Sequence, residues 1–162
     1  MTIGQDSHSE WYVSCKFQPE GLDAMDEIGS LNLTLTSVEW LRIKDCWSGS
    51  YTRLLRHGLG VTSLTHMRLE AKRIPVTLDR GSFANMSQTY SGFTGLDLKL
   101  VGVASLAGGS LDGMTSLQHL TLDRTSVKTL PEQLLAKLTD LRNLTIYWNR
   151  QALFLDTFLV FF

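Results

Sequence analysis

The chain has 162 residues, 43% of them hydrophobic and 19% charged, with a formal net charge of −1. That balance fits one folded domain and argues against wholesale disorder. It gives no electrostatic reason to expect nucleic acid or an anionic membrane as a partner.

The opening "MTIGQDSHSEW" lacks the basic start and apolar core of a secretory leader, so it reads as a mature or trimmed chain. "EWYVSCKF" (10–17) is a predicted strand carrying Cys15, and "GSLNLTLTS" (29–37) alternates apolar and polar residues as a second. Together they predict a small hairpin that makes residues 1–37 a cap on the segment beginning at Val38.

From Val38 onward the chain repeats. "VEWLRI", "LTHMRL", "FTGLDL", "LQHLTL" and "LRNLTI" begin at 38, 64, 93, 117 and 141, separated by 26, 29, 24 and 24 residues. Each places apolar residues at its first, fourth and sixth positions, the L-x-x-L-x-L core of a leucine-rich repeat with a period of about 20–29 residues. On a strand the fourth and sixth residues point the same way. Stacked units would align short parallel strands and bury one apolar face in a shared interior. An amphipathic helix would need i, i+3, i+4, i+7 spacing to persist, and it does not. The predicted fold is therefore an α/β leucine-rich repeat solenoid. Strands line its concave face, short helices or irregular turns its convex face, and a β-hairpin caps its start.

The ninth positions are Cys46, Lys72, Val101, Thr125 and Asn149, where an Asn or a small residue suits the turn away from the strand. Bulky Lys72 fits worst, so the second unit is expected to bend differently. On the return side, Phe83, Met86, Leu111, Met114, Val127, Leu130, Leu134 and Leu138 are the predicted inward anchors, and Pro131 can open a short helical turn. Five repeats over 38–149 leave the tail 150–162. Its "ALFLDTFLVFF" is too short to span a bilayer and is interrupted by Asp156. It reads as a truncated further repeat or an improvised lid, truncation being the preferred reading.

Cys15 and Cys46 are expected to form a bridge fastening the cap to the first repeat, the alternative being unpaired cysteines with Cys46 a buried free thiol. Asn32, Asn85 and Asn143 each begin an N-x-[ST] triplet and are candidate glycosylation sites, which leans towards secretion. The strand positions facing outward are the third (Trp40, His66, Gly95, His119, Asn143), the fifth (Arg42, Arg68, Asp97, Thr121, Thr145) and the seventh (Lys44, Glu70, Lys99, Asp123, Tyr147). Aromatic and arginine side chains dominate binding hot spots. Trp40, Arg42, His66 and Arg68 form one candidate partner-binding neighbourhood, Tyr147 and Trp148 another, with His119 between them. A glycan on Asn143 would shield this face.

No catalytic or cofactor site emerges. His66 and His119 would stand about 10 Å apart, too far to share a metal. An Asp123–His119 pair would lack a nucleophile elbow, and "GVASLAGGS" is no phosphate loop.

"WYVSCKF", "SVEWLRIKDCWSG" and "SVKTLPEQLLAKLTDLRNLTIYWN" resemble the amino-terminal part of a Toll or Toll-like receptor ectodomain, nearest to invertebrate Toll, over about residues 11–149. The resemblance implies an extracellular, non-catalytic receptor fragment that binds a protein ligand of the cystine-knot cytokine kind, or a microbial pattern. It also implies receptor dimerisation, and a membrane span and TIR domain in a downstream region this sequence does not contain. The alternatives are a secreted antigen binder of the variable lymphocyte receptor kind, against which the 26- and 29-residue spacings count, and an intracellular leucine-rich scaffold.

Overall fold

A computed structural model of the chain describes residues 1–15, 23–28, 34–72, 76–100, 105–124, 130–131, 133–147 and 157–161. The architecture is mixed α/β and dominated by one mainly parallel sheet. Its strands, in spatial order, are β1 (Thr2–Gln5), β2 (Trp11–Ser14), β3 (Ser37–Lys44), β4 (Ser63–Ala71), β6 (Gly95–Leu100), β8 (His119–Asp123), β9 (Asn143–Tyr147) and β10 (Thr157–Phe161). A second sheet pairs β5 (Thr77–Leu78) with β7 (Ser105–Leu106) on the return side.

The five repeat strands are parallel neighbours, and their register sets like on like. Leu41 lies beside Met67, then Leu96, Leu120 and Leu144. Ile43, Leu69, Leu98, Leu122 and Ile146 form the next row. All are buried except Ile146, which packs partly exposed against the same core. Each burial contributes about 1.5–3 kcal/mol, and a one-residue slip would turn a whole row towards solvent. Period and register thus specify each other.

The return segments close the core from the other side. Phe83, Met86, Leu111 and Met114 are fully enclosed, and Leu134 and Leu138 are buried. Leu130 is not: it is 38% exposed, contrary to its predicted inward role. Val127 lies outside the described residues. Pro131 opens a hydrogen-bonded turn, its carbonyl accepting from the Leu134 N–H at 2.9 Å, but no helix forms over 133–137. In the first repeat the return is helical. A short α2 (Tyr51–Arg53), capped by the Ser50 side chain, runs into a π-helical turn (Leu54–Gly58).

The turn off the strand differs from the expected one. In the first and fourth units it comes at the eighth position, where Asp45 (φ 51°) and Arg124 (φ 54°) are left-handed. The Asp45 N–H donates to the Glu70 carbonyl at 2.7 Å, and the Arg124 N–H to that of Tyr147 at 2.9 Å. Asx side chains tolerate this backbone, and the Asp45 carboxylate also accepts from the Lys72 N–H at 2.7 Å. The second unit is not set apart as expected: β4 runs on through Ala71 just as β6 runs on through Leu100, its register partner, and the Lys72 side chain reaches solvent. Among the ninth positions, Val101, Thr125 and Asn149 lie outside the described residues.

The cap hairpin is built differently from its prediction. β1 and β2 pair antiparallel, and β2 runs parallel beside β3. The second cap strand is therefore Thr2–Gln5, whose alternation in four residues is too short to stand out. Of the second predicted strand (29–37), residues 29–33 lie outside the described residues and 34–36 are not strand. They instead lead into β3, with the Leu35 N–H bonded to the Leu59 carbonyl at 2.9 Å. A short α1 (Ala24–Ile28) packs Ala24 and Ile28 into the core. Cys15 and Cys46 form a disulfide with Cα atoms 5.1 Å apart, tying the end of β2 to the exit of β3. At the other end β10 pairs antiparallel with β9, from Thr157 opposite Tyr147 to Phe161 opposite Asn143, so the outer edge of β9 is hydrogen-bonded. Among the described residues no helix is long and apolar enough to cross a membrane.

Candidate protein-recognition face

Side chains alternate along each strand, so the third, fifth and seventh positions share the sheet face opposite the core. The register brings each set into a row, beginning with Trp40, His66, Gly95, His119 and Asn143. Within it the Trp40 and His66 rings stack, centroids 4.2 Å apart and planes 9° apart. Gly95 makes room for the imidazole: a methyl there would lie 2.0 Å from His66 Cδ2. The His66 Nδ1 is enclosed and has no hydrogen-bond partner among the described residues. Burial holds the His66 pKa below the ordinary imidazole value; the nearby His119 adds to this, and Asp97 and Glu39 oppose it.

His119, in register with Asn143, accepts at Nδ1 from the Asn143 side-chain amide at 2.9 Å. A glycan on Asn143 would be attached to the same nitrogen. Asn85 is exposed and left-handed (φ 58°) just before α3 (Met86–Thr89) on the return side. Asn32 lies outside the described residues.

The other two rows are knit by charge. The Arg42 guanidinium lies 2.9 Å from Glu10 and 3.8 Å from Glu70. Arg68 holds Asp97 through Nε at 3.2 Å and Nη2 at 2.9 Å. Lys99 meets Asp123 at 3.1 Å, and Arg124 approaches the same carboxylate at 3.7 Å. Asp123 is thus turned to cations and not to His119, and the conceivable Asp–His pair is not formed. Pairs this exposed contribute about 0–1 kcal/mol each to stability. Their larger effect is to fix arginines that the sequence presents as free contacts.

Trp40, Arg42, His66 and Arg68 are therefore one contiguous neighbourhood on β3 and β4. His119 stands two strands from His66, across Gly95. Tyr147 projects from β9, 40% exposed, and Trp148 lies outside the described residues. Two residues of the face escaped the sequence reading. Glu10 reaches Arg42, and Tyr12, in register with Arg42, lays its phenol over Gly4, where a methyl would lie 2.8 Å from the hydroxyl. Extending the rows from β3 into the cap strand would have found Tyr12.

No protein-family profile and no curated protein matches the chain. Among solved structures it is similar to a chain in the structure of the Toll–Spatzle complex, described as a molecular hub in Drosophila development and innate immunity. The TM-score is 0.67 at 16% identity, over 83% of this chain and 17% of the other. At that identity the likeness is one of fold. This chain spans about one sixth of the length of the chain it matches.

Proposed function

We propose that the chain is the amino-terminal part of a Toll-like leucine-rich repeat ectodomain, a non-catalytic extracellular module that recognises a protein ligand. In this reading residues 1–37 are the cap, 38–149 five repeats of a solenoid, and 150–162 an apolar tail that is a truncated further repeat or an improvised lid. The observation that carries it is the in-register stack of five repeat strands, which leaves a wide polar face open beside a disulfide-tied cap. The likeness to a chain of the Toll–Spatzle complex supports a receptor context and a protein partner. The disulfide favours an oxidising compartment over the cytosol, which counts against an intracellular scaffold.

The ligand contact is assigned to Trp40, His66 and the flanking Arg42 and Arg68, with His119, Tyr147 and Trp148 as a second area. A preformed sheet face binds without paying to order itself. Calorimetric titration with a Spatzle-type cystine-knot protein tests this, comparing wild type with Trp40→Ala and Arg68→Ala. Weakened binding by Trp40→Ala, with a smaller effect of Arg68→Ala, supports the site, and unchanged binding by both removes it. Glycan mapping of the secreted protein at Asn32, Asn85 and Asn143 tests the compartment separately, and bare asparagines with reduced cysteines would favour the intracellular alternative.

A further inference from the structure

A groove of about 560 Å3 opens where the first two return segments lead into β4 and β6, away from the strand-face neighbourhood. It is lined by Arg56, His57, Gly60 and Val61 from the first return segment, Thr62 at the entry to β4, and Gln88, Thr89 and Tyr90 from the second return segment. The π-helical turn shapes the cationic wall. Its wide closure, Leu59 N–H to Leu54 carbonyl at 3.0 Å, turns Leu54, Leu55 and Leu59 inward and leaves Arg56 and His57 both exposed. Turns of this kind recur at functional sites. The floor is fixed across the two repeats: Tyr90, itself buried, donates its hydroxyl to the Val61 carbonyl at 3.3 Å. Gly60, left-handed at φ 62°, steers the chain into that contact.

The chemistry selects a ligand class. No acidic residue lines the groove, and neither Arg56 nor His57 makes an ion pair among the described residues. The volume suits a small molecule. The hydroxyl and amide walls suit a hydroxyl-rich ligand better than an apolar one. An extended peptide would need a free strand edge, and β4 and β6 are paired on both sides. We propose that this groove binds an acidic saccharide unit, its sulfate or carboxylate held by Arg56 and His57 and its hydroxyls by Gln88, Thr89 and Thr62.

The test is titration of the whole chain, followed by NMR, with a sulfated heparin disaccharide, its desulfated counterpart and inorganic sulfate. The variants are Arg56→Gln, Gln88→Ala and, as an outlying cation, Arg80→Gln. The sulfated disaccharide is expected to saturate and to shift Gln88 and Thr89. Arg56→Gln should weaken it about tenfold, the loss of one charged hydrogen bond. Removing the sulfate should weaken it comparably, Gln88→Ala should weaken it less, and Arg80→Gln should leave it unchanged. Equal binding by Arg56→Gln, equal weakening by Arg80→Gln, sulfate alone binding as tightly, or no saturable binding would each overturn the assignment. Arg56 is exposed, so unchanged melting of the variant separates lost binding from lost fold.

Discussion

Gly95→Ala probes the centre of the strand face. Gly95 is the first residue of β6 and has no positive φ, so an alanine meets no backbone strain there. Relieving a strand glycine should then stabilise by about 0.5–1 kcal/mol. The new methyl, however, would fall 2.0 Å from His66 Cδ2 and 2.7 Å from Nε2. The ring cannot retreat along its stacking direction, because Trp40 lies against it at 4.2 Å. It must swing out and give up a stack worth about 0.5–1.5 kcal/mol. With His66 present the two effects nearly cancel, leaving stability within about 0.5 kcal/mol of wild type. In a His66→Ala background only the gain remains. Urea unfolding of the four proteins gives the coupling directly, expected at about 1 kcal/mol. The His66 ring protons should also lose the shift that the Trp40 ring imposes. Additivity within about 0.3 kcal/mol would mean that the imidazole does not occupy the space over Gly95, and the described stack would be wrong.

Reducing the Cys15–Cys46 bridge, which spans 31 residues, should lower stability by about 3–4 kcal/mol in the chain-entropy model, read from urea curves with and without reductant. Leu96→Ala, a fully enclosed rung between two others, should cost about 2–5 kcal/mol, whereas Leu130→Ala should cost under about 0.5 kcal/mol because that side chain is exposed. Tyr51→Phe leaves the buried Cys46 carbonyl without its 3.1 Å donor and should cost about 1–2 kcal/mol. Burial lowers the His66 pKa on folding, so the unfolded chain binds the more protons below the ordinary value of 6.5. Stability should therefore fall as pH drops through 6.5 towards the folded value and then level off. Urea midpoints measured between pH 8 and 5 should lose that component in His66→Phe.

The apolar rows were legible because burial punishes every misplaced residue in the same way in each unit. The spacing of 38, 64, 93, 117 and 141 therefore carries the strand register. The short β1 was not legible, since four residues with one isoleucine among polar neighbours differ little from loop. The eighth-position turn was also hidden. Asp45 suits a left-handed backbone, but Arg124 adopts it under the constraint of the Tyr147 carbonyl, which only the stacked neighbour supplies. Leu130 looked like an anchor by residue type, and no local pattern distinguishes it from Leu134.

The strand face was legible in part, and the part missed is the more instructive. Arg68 and Asp97 hold the fifth position of adjacent units, Lys99 and Asp123 the seventh, and Trp40 and His66 the third. Residues at one repeat position stand about 4.8 Å apart on neighbouring strands. Opposite charges or two rings there will meet each other before they meet a ligand. The same alignment that proposes an open face therefore also predicts its internal partners. It follows that a ligand gains little from Arg42 or Arg68 unless it replaces the Glu10 or Asp97 contact with one at least as good. Trp40, already rigid against His66, loses little freedom on binding. The alanine scan of this face should accordingly rank Trp40 above either arginine, and the reverse order would indicate that the ion pairs open when the partner arrives.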